Sequence, residues 1–268
     1  MAPEPLDSVR APAVSGLFYP ATAAALRTEI DSFLRAVPGP PLRTRPHAVI
    51  VPHAGYAYSG AIAAAAYRRL EPWRAMIHRV VLLGPPHREP VRGAATVTVD
   101  AFRTPLGDVP VDRASLRTLI GHDAVTDNRL AHLAEHALEV QLPFLQGVLD
   151  DFSIIPLLIA DMTPAATAAL LEPWWHDPST LLLVSSDLSH FHHYDEAREI
   201  DAVTDAAIMT LDPDYIGPQQ ACGCHALNGL LHLAREQDAA VVRLAFGNSG
   251  DAGGSRARVV GYAAYAVQ

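Results

Sequence analysis

The sequence predicts an α/β fold in which helices cover both faces of a mostly buried, mixed central sheet, a three-layer α/β/α sandwich. Short runs of β-branched residues or leucine alternate with longer, alanine-rich amphipathic stretches, which is the pattern of strands alternating with helices. Several of the short runs are apolar on successive residues, as expected of strands buried on both faces. Half of the 268 residues are hydrophobic and 18% are charged, so the chain can bury a large core.

The order of these runs predicts seven strands and seven helices. The predicted strands are His47–Val51, Arg79–Leu83, Ala95–Val99, Ser153–Leu158, Thr180–Val184, Val241–Phe246 and Arg258–Tyr265. The predicted helices are Ala21–Ala36, Ser59–Leu70, Ser115–Ile120, Glu135–Leu149, Pro164–Trp175, Asp195–Thr210 and Cys224–Glu236. Thr163 followed by Pro164 is a typical helix start, because the threonine can cap the helix and proline suits its first turn.

No Pro/Gly/Ser-rich linker interrupts the middle of the chain. We therefore predict one domain over residues 1–268, with residues 1–9 flexible. The proline-rich stretch Met1–Val14 lacks the apolar segment of a signal peptide. The longest apolar runs are too short to cross a bilayer. These features predict a cytoplasmic protein without a membrane partner.

Charge and cysteine content exclude further classes. The net charge is −9, from 20 basic and 29 acidic residues without a basic cluster, which argues against nucleic acid as a partner. Cys222 and Cys224 are too close in sequence for an ordinary disulfide, and reduced thiols fit the cytoplasm. The alanine-rich helices would allow a homodimer.

Histidines follow three of the predicted strands at similar offsets. His53 follows the strand ending at Val51, and His87 follows the strand ending at Leu83. Asp187 and His190 follow the strand that ends at Val184. Ligand sites in open α/β sheets lie at the carboxyl ends of the strands, so these side chains are the first candidates for a site.

Each histidine segment has a structural interpretation beside the functional one. Pro52–Tyr56 and Gly84–His87 are stiff turns, and each could hold a histidine that is merely hydrogen-bonded. In the segment around Asp187, a carboxylate three residues before His190 can fix the histidine tautomer and raise its basicity, as a general base requires. A helix cap with solvated histidines is the alternative, and we favour the functional interpretation.

Two further segments are chemically suggestive. Glu135 and Glu139 are predicted to share one face of an amphipathic helix, with His136 beside Glu135, although acidic residues in a first helical turn are common. Cys222 is predicted to lie near a helix N-terminus, where a thiol has a lowered pKa and can bind metal or act as a nucleophile. The spacing of Cys222 and Cys224 does not match a structural zinc site, and we assign Cys224 no role.

Eight motifs in order along the chain resemble one family. They are Gly16-Leu17-Phe18-Tyr19-Pro20, Pro52-His53-Ala54-Gly55-Tyr56-x-Tyr58-Ser59-Gly60, Gly84-Pro85-x-His87, Glu135-His136-x-x-Glu139-x-Gln141-Leu142-Pro143, Ser185-Ser186-Asp187-x-Ser189-His190, Cys222-Gly223, Asn248-Ser249-Gly250-Asp251 and Val260-Gly261-Tyr262-Ala263. From about Arg10 to the C-terminus, the chain resembles the MEMO family, also called the AmmeMemoRadiSam system protein B family.

The resemblance implies a fold shared with the LigB-like class III extradiol dioxygenases, which cleave catechol rings with non-haem Fe(II) and O₂. By this analogy His53, His87 and Cys222 are metal ligands. His190 matches the position of the catalytic base, with Asp187 beside it, and the resemblance also favours Glu135 and His136 as catalytic residues. The dioxygenases have a carboxylate where this chain has Cys222, and a thiolate favours Fe, Cu(I) or Zn.

Three functions follow from this pattern. The first is an Fe(II)-dependent, dioxygenase-like oxidoreductase acting with O₂ on a small substrate, for which an aromatic ring is one option, with Cu or Zn as alternative metals. The second is a non-catalytic module that binds metal or protein. The third is a metal-independent hydrolase, with Cys222 as nucleophile, a nearby histidine as base and Asp187 to orient it.

Overall fold

A computed structural model describes residues 8–268, which form twelve strands and eight α-helices. The strands are β1 (Val9–Arg10), β2 (Ala48–Val51), β3 (Arg79–Gly84), β4 (Gly93–Thr96), β5 (Ala101–Thr104), β6 (Gly107–Pro110), β7 (Val125–Asp127), β8 (Ser153–Ala160), β9 (Thr180–Ser185), β10 (His190–His192), β11 (Val241–Asn248) and β12 (Val259–Val267). The α-helices are α1 (Ala23–Ala36), α2 (Tyr56–Tyr67), α3 (Arg113–Ile120), α4 (Arg129–Leu133), α5 (Leu142–Val148), α6 (Pro164–Trp175), α7 (Tyr194–Met209) and α8 (Cys224–Glu236).

Nine of these strands form one mixed sheet. Its central strands β2, β9, β3 and β8 are parallel neighbours in that order. On one side β8 pairs antiparallel with β4, which pairs with β7. On the other side β12 pairs antiparallel with β2, β10 and β11. The central strands are buried at nearly every residue, as expected where helices cover both faces.

Five of the eight α-helices pack in two groups. In the first group, α2 contacts α1, α5 and the strands β2, β11 and β12. In the second group α6 and α8 pack together and contact β8 and β9, and this packing is tight because Gly229 of α8 lies against Thr167 of α6. The predicted α/β fold, a mixed central sheet flanked by helices, is confirmed.

Two predicted helices match the structure at both ends. Helix α6 covers Pro164–Trp175 and is capped by Thr163, whose hydroxyl accepts a hydrogen bond from the Ala166 N–H at 3.2 Å. Helix α8 covers Cys224–Glu236. Both follow the capping and periodicity rules from which they were predicted.

The predicted helix Glu135–Leu149 is wrong in its first half. Residues 135–138 form a loop, a short 3₁₀ segment covers Glu139–Gln141, and α5 begins only at Leu142 with Pro143 in its first turn. The Glu135 carboxylate accepts hydrogen bonds from the backbone N–H groups of the next two residues, which favours the loop over a helix. Glu135 and Glu139 therefore do not share a helix face.

A small second sheet was not predicted from the sequence. It pairs β1 with β5 in parallel and β5 with β6 antiparallel. Of the residues predicted to be flexible, residues 1–7 lie outside the described part of the chain, whereas Val9 lies in β1. Within residues 8–268, no helix combines the length and apolar character that a membrane span requires.

Candidate metal centre

The carboxyl ends of three neighbouring parallel strands define the candidate site. β9 lies between β2 and β3, and Val51 at the end of β2 pairs with Ser185 at the end of β9. His53 follows β2 by two residues, and His87 follows β3 by three. The two histidines thus leave the sheet on either side of Ser185, as the strand-end rule predicts.

His136 joins these two histidines. One ring nitrogen from each of His53, His87 and His136 can be chosen such that all three lie within 4.8 Å of one another. The ring centroids are 5.1 Å apart for His53 and His87, and 4.7 Å apart for His87 and His136. Three imidazoles at this spacing can bind Zn, Cu, Fe or Ni.

Glu135 holds His87 from outside the cluster. The His87 Nδ1 lies 2.9 Å from Oε1 of Glu135, and the His87 backbone N–H also donates to this carboxylate. Burial opposes ionisation of Glu135, but hydrogen bonds from His87 and from the backbone N–H of Ala137 outweigh it and lower its pKa to about 2. An ionised carboxylate only accepts, so His87 is protonated at Nδ1 and its Nε2 is free to bind metal.

His53 is buried and held from two directions. Its backbone N–H donates to Oδ1 of Asp187 at 2.7 Å, and its Nδ1 lies 2.9 Å from the Ser185 hydroxyl. Its Nε2 lies 3.2 Å from Sγ of Cys222. Burial, reinforced by the neighbouring His87, lowers the pKa of His53 to about 3, so the ring is neutral at pH 7, as metal binding requires.

His136 has a ring nitrogen that makes no hydrogen bond. Its Nδ1 is buried and makes no hydrogen bond, although Oε1 of Glu135 lies 3.3 Å away. The Phe18 ring packs against the imidazole with centroids 4.9 Å apart. Burial, followed by the proximity of His53, lowers the pKa of His136 to about 4. Buried nitrogen atoms normally have a partner. A neutral nitrogen that makes no hydrogen bond, beside two other imidazoles, therefore fits a site for a metal ion.

Cys222 contacts the cluster through His53. It lies two residues before α8, and its Sγ accepts a hydrogen bond from the Asp187 N–H at 3.3 Å. Gly223 allows this approach, because a Cβ there would lie 2.9 Å from the Ser185 carbonyl oxygen. The predicted lowering of the Cys222 pKa is wrong: burial raises it, and the charge of Asp187 raises it further.

Asp187 and His190 are arranged differently from the prediction. In the described part of the chain, no hydrogen bond joins the Asp187 carboxylate to the His190 ring. The Asp187 carboxylate instead accepts a hydrogen bond from the backbone N–H of His53. His190 begins β10 and is half-buried. It is close enough for its charge to lower the pKa of both His53 and Asp187. His190 therefore lies beside the three-histidine cluster.

Comparison with known proteins identifies the family. The family model described as "Memo-like protein" matches residues 10–266. The chain belongs to the Memo-like family.

Relatives of this Memo-like chain match over nearly its whole length. A MEMO1 family protein of Aeropyrum pernix is 34% identical and covers 97% of this chain and 99% of its own. A MEMO1 family protein of Aquifex aeolicus is 32% identical over 95% of this chain and 97% of its own. The crystal structure of an uncharacterized protein from Escherichia coli K12 matches with a TM-score of 0.51 at 13% identity, covering 82% of this chain and 99% of that one. That likeness concerns the fold alone.

The Memo-like motif around Glu139 anchors an N-terminal segment to the site. The Glu139 carboxylate is fully buried and accepts hydrogen bonds from Arg10, from the backbone N–H groups of Ala13 and Val14, and from the Tyr19 hydroxyl. Arg10 also donates to two backbone carbonyl groups of residues 132 and 135. We call residues 10–19 the N-terminal strap. It carries Phe18, so Glu139 fixes the ring that packs on His136.

Three contributors in this Memo-like site were missed as functional candidates: Ser185, Gln141 and Phe18. Gln141 donates from Nε2 to the Ser185 hydroxyl at 2.8 Å, and Ser185 contacts His53. The residues occur in the family motifs, but their neighbours in space are far away in sequence. Only the position of Ser185 at the end of a predicted central strand could have marked it.

The depressed histidine pKa values predict a pH-dependent stability. Because His53 and His136 have folded pKa values of about 3 and 4 against an ordinary 6.5, the unfolded chain binds protons before the folded chain does. The contribution of these two histidines to the free energy of unfolding is therefore complete above pH 6.5. It is lost as the pH falls toward 4, by ~1.4 kcal/mol per pH unit for each histidine. Urea unfolding of chelator-treated protein between pH 7.5 and 4.5 measures this slope. In His136→Gln the free energy of unfolding should depend less steeply on pH, by the equivalent of about one bound proton. An unchanged pH dependence would contradict the lowered pKa of His136.

Proposed function

We propose that this Memo-family protein binds one Fe(II) ion through His53, His87 and Cys222, with His136 as an additional donor, and acts as an oxidoreductase on a small aromatic substrate. The observation that supports metal binding most strongly is the cluster of three imidazoles, one of which has a buried nitrogen that makes no hydrogen bond. The 3.2 Å contact between Cys222 Sγ and His53 Nε2 supports the thiol as a ligand. The same donors suit Cu(I) and Zn.

The oxidoreductase assignment rests on the resemblance to the LigB-like dioxygenases. A bound Fe(II) ion would supply the electrons and open coordination positions that O₂ chemistry needs. The chain's own residues orient the ligands: Glu135 holds His87, and Asp187 and Ser185 hold His53. Because both imidazoles are hydrogen-bonded at Nδ1, their Nε2 atoms are the ones available to a metal.

Two side chains beside the three-histidine cluster suit an aromatic substrate. Phe18 provides an apolar surface beside His136. His190 is half-buried and is the histidine that lies outside the three-imidazole cluster but beside His53. It can accept the proton of a substrate hydroxyl, the role of a general base.

Cys222 and Cys224 provide a matched pair for testing this function. Cys222→Ser removes the thiol that contacts His53, whereas Cys224→Ser changes a buried thiol two residues away at the start of α8. We expect wild type and Cys224→Ser, purified without oxygen, to contain about one iron per chain, and Cys222→Ser to bind iron at least ~10-fold more weakly. Elemental analysis and Fe(II) titration measure this difference.

Oxygen uptake with a panel of catechols and other small phenols tests the catalytic half of the proposal. Uptake that depends on both substrate and iron supports the oxidoreductase. Iron binding with no uptake on any substrate would instead favour the non-catalytic metal-binding or protein-interaction module. Equal iron binding in Cys222→Ser and Cys224→Ser would contradict the thiol ligand.

One observation favours a metal-independent Cys hydrolase as a second candidate. The distance of 3.2 Å between Cys222 Sγ and His53 Nε2 is that of a nucleophile and its base. Asp187, the predicted orienting residue, accepts a hydrogen bond from the His53 backbone N–H. The His53 ring is hydrogen-bonded to Ser185 instead. Stoichiometric alkylation of Cys222 at pH 7 that added Fe(II) does not slow would favour the hydrolase.

A further inference from the structure

The His53 ring is hydrogen-bonded to the Ser185 hydroxyl, and a hydroxyl alone does not determine which ring nitrogen carries the proton. For His87 the partner is the Glu135 carboxylate, which only accepts and so keeps the proton on Nδ1. For His53 the partner of Nδ1 is the Ser185 hydroxyl at 2.9 Å. A hydroxyl can donate or accept. The tautomer of His53 therefore depends on where the hydroxyl sends its single proton.

The other partners of Ser185 fix that direction. The Ser185 Oγ lies 2.7 Å from the Ala137 carbonyl oxygen, which only accepts, so the hydroxyl proton points to Ala137. The second neighbour is Gln141 Nε2 at 2.8 Å, a donor that occupies one of the acceptor positions of the hydroxyl. What remains for His53 is the other acceptor position.

The orientation of the Gln141 amide is fixed in turn. Its Nε2 also lies 2.9 Å from the Pro52 carbonyl oxygen, an acceptor that requires the NH₂ end of the amide on that side. Its Oε1 then accepts from the Tyr67 hydroxyl at 2.6 Å. Tyr67, Gln141, Ser185 and His53 are all buried, so water does not compete with this arrangement.

We propose that Ser185 is a positioning residue that keeps His53 protonated at Nδ1, with Gln141 and the Ala137 carbonyl fixing the direction of its hydroxyl. The Nε2 lone pair of His53 then faces Sγ of Cys222 and the ligand atoms of the neighbouring imidazoles. The tautomer follows from hydrogen bonds within the chain. Only its consequence for metal affinity rests on the proposed function.

Nitrogen NMR of ¹⁵N-histidine-labelled, metal-free protein tests this proposal, because the two ring nitrogens have different shifts in the two neutral tautomers. We expect the wild type to show His53 protonated at Nδ1. Ser185→Ala should lose this preference and populate both tautomers. Ser189→Ala is the matched control, since it removes another buried serine hydroxyl from the same strand-end segment and should leave the His53 signals unchanged.

The affinity for Zn(II), measured by calorimetry as a redox-inert probe, gives the second readout. We expect Ser185→Ala to bind Zn(II) about 10–100-fold more weakly than wild type and Ser189→Ala to bind equally. A wild-type His53 protonated at Nε2 overturns the proposal whether or not any variant folds, as does a folded Ser185→Ala with the wild-type tautomer. Failure of the wild type to bind metal would refute the proposed function while leaving the tautomer result standing.

Discussion

Replacing His53 with alanine should abolish tight metal binding. His53 is central to the cluster, since its ring lies 5.1 Å from His87 and 5.5 Å from His136 and its Nε2 contacts Cys222. Loss of an outer hydrogen-bond partner of a ligand typically costs ~10–100-fold in affinity, and loss of the ligand itself should cost more. Iron content after dialysis, together with Fe(II) titration under anaerobic conditions, measures the effect.

His132→Ala is the control for this prediction. His132 is also buried with a strongly lowered pKa, but its ring bonds the Ala95 carbonyl oxygen and is not one of the clustered imidazoles. Both variants remove a buried imidazole, so both should lower the melting temperature. Only His53→Ala should lose iron. Stoichiometric iron in folded His53→Ala would refute the site.

Replacing Glu139 with glutamine should cause the largest loss of stability among the variants considered. Glu139 and Arg10 form an ion pair of 2.7 Å whose side chains are 0% and 3% exposed. Glutamine keeps the shape but leaves the Arg10 charge buried without a counter-charge, which typically costs ~3–5 kcal/mol. Denaturant unfolding at pH 7 measures the free energy of unfolding.

An exposed ion pair provides the comparison for Glu139→Gln. Arg74 and Asp150 lie 2.6 Å apart, with about half of each side chain exposed. Because water and salt screen such a pair, Asp150→Asn should cost less than ~1 kcal/mol. Similar losses in the two variants would show that the anchoring of the N-terminal strap contributes little to stability.

The sequence predicted the central sheet well because its strands are apolar on successive residues and bounded by clear turns. The prediction for Glu135–Leu149 failed because the apolar pattern there is periodic, while the side chain of Glu135 bonds nearby backbone N–H groups and Pro143 begins the actual helix. The strands β1, β5 and β6 were missed because they are short and pair mainly with one another.

Two of the three clustered imidazoles, those of His53 and His87, were among the predicted metal ligands, and Cys222 as the third ligand stays a prediction. The strand-end rule brought His53 and His87 together, and the resemblance added Cys222. The position of His136 in the cluster depends on a loop that was predicted to be helical. The role of Ser185 depends on Ala137 and Gln141, which lie 48 and 44 residues away in sequence. Such contacts follow from the packing of whole elements and cannot be obtained from local patterns.

The position of β2 in the sheet determines when the site can form during synthesis. β2 carries His53 toward the site, but its two neighbours are β9 (Thr180–Ser185) and β12 (Val259–Val267), which lie far behind it in the sequence. Cys222 follows His53 by 169 residues. A nascent chain on the ribosome therefore exposes its histidines long before their partners emerge. Because these contacts are non-local, the site should form late in folding, after β9, Cys222 and β12 have been synthesised, and metal would be acquired after that point.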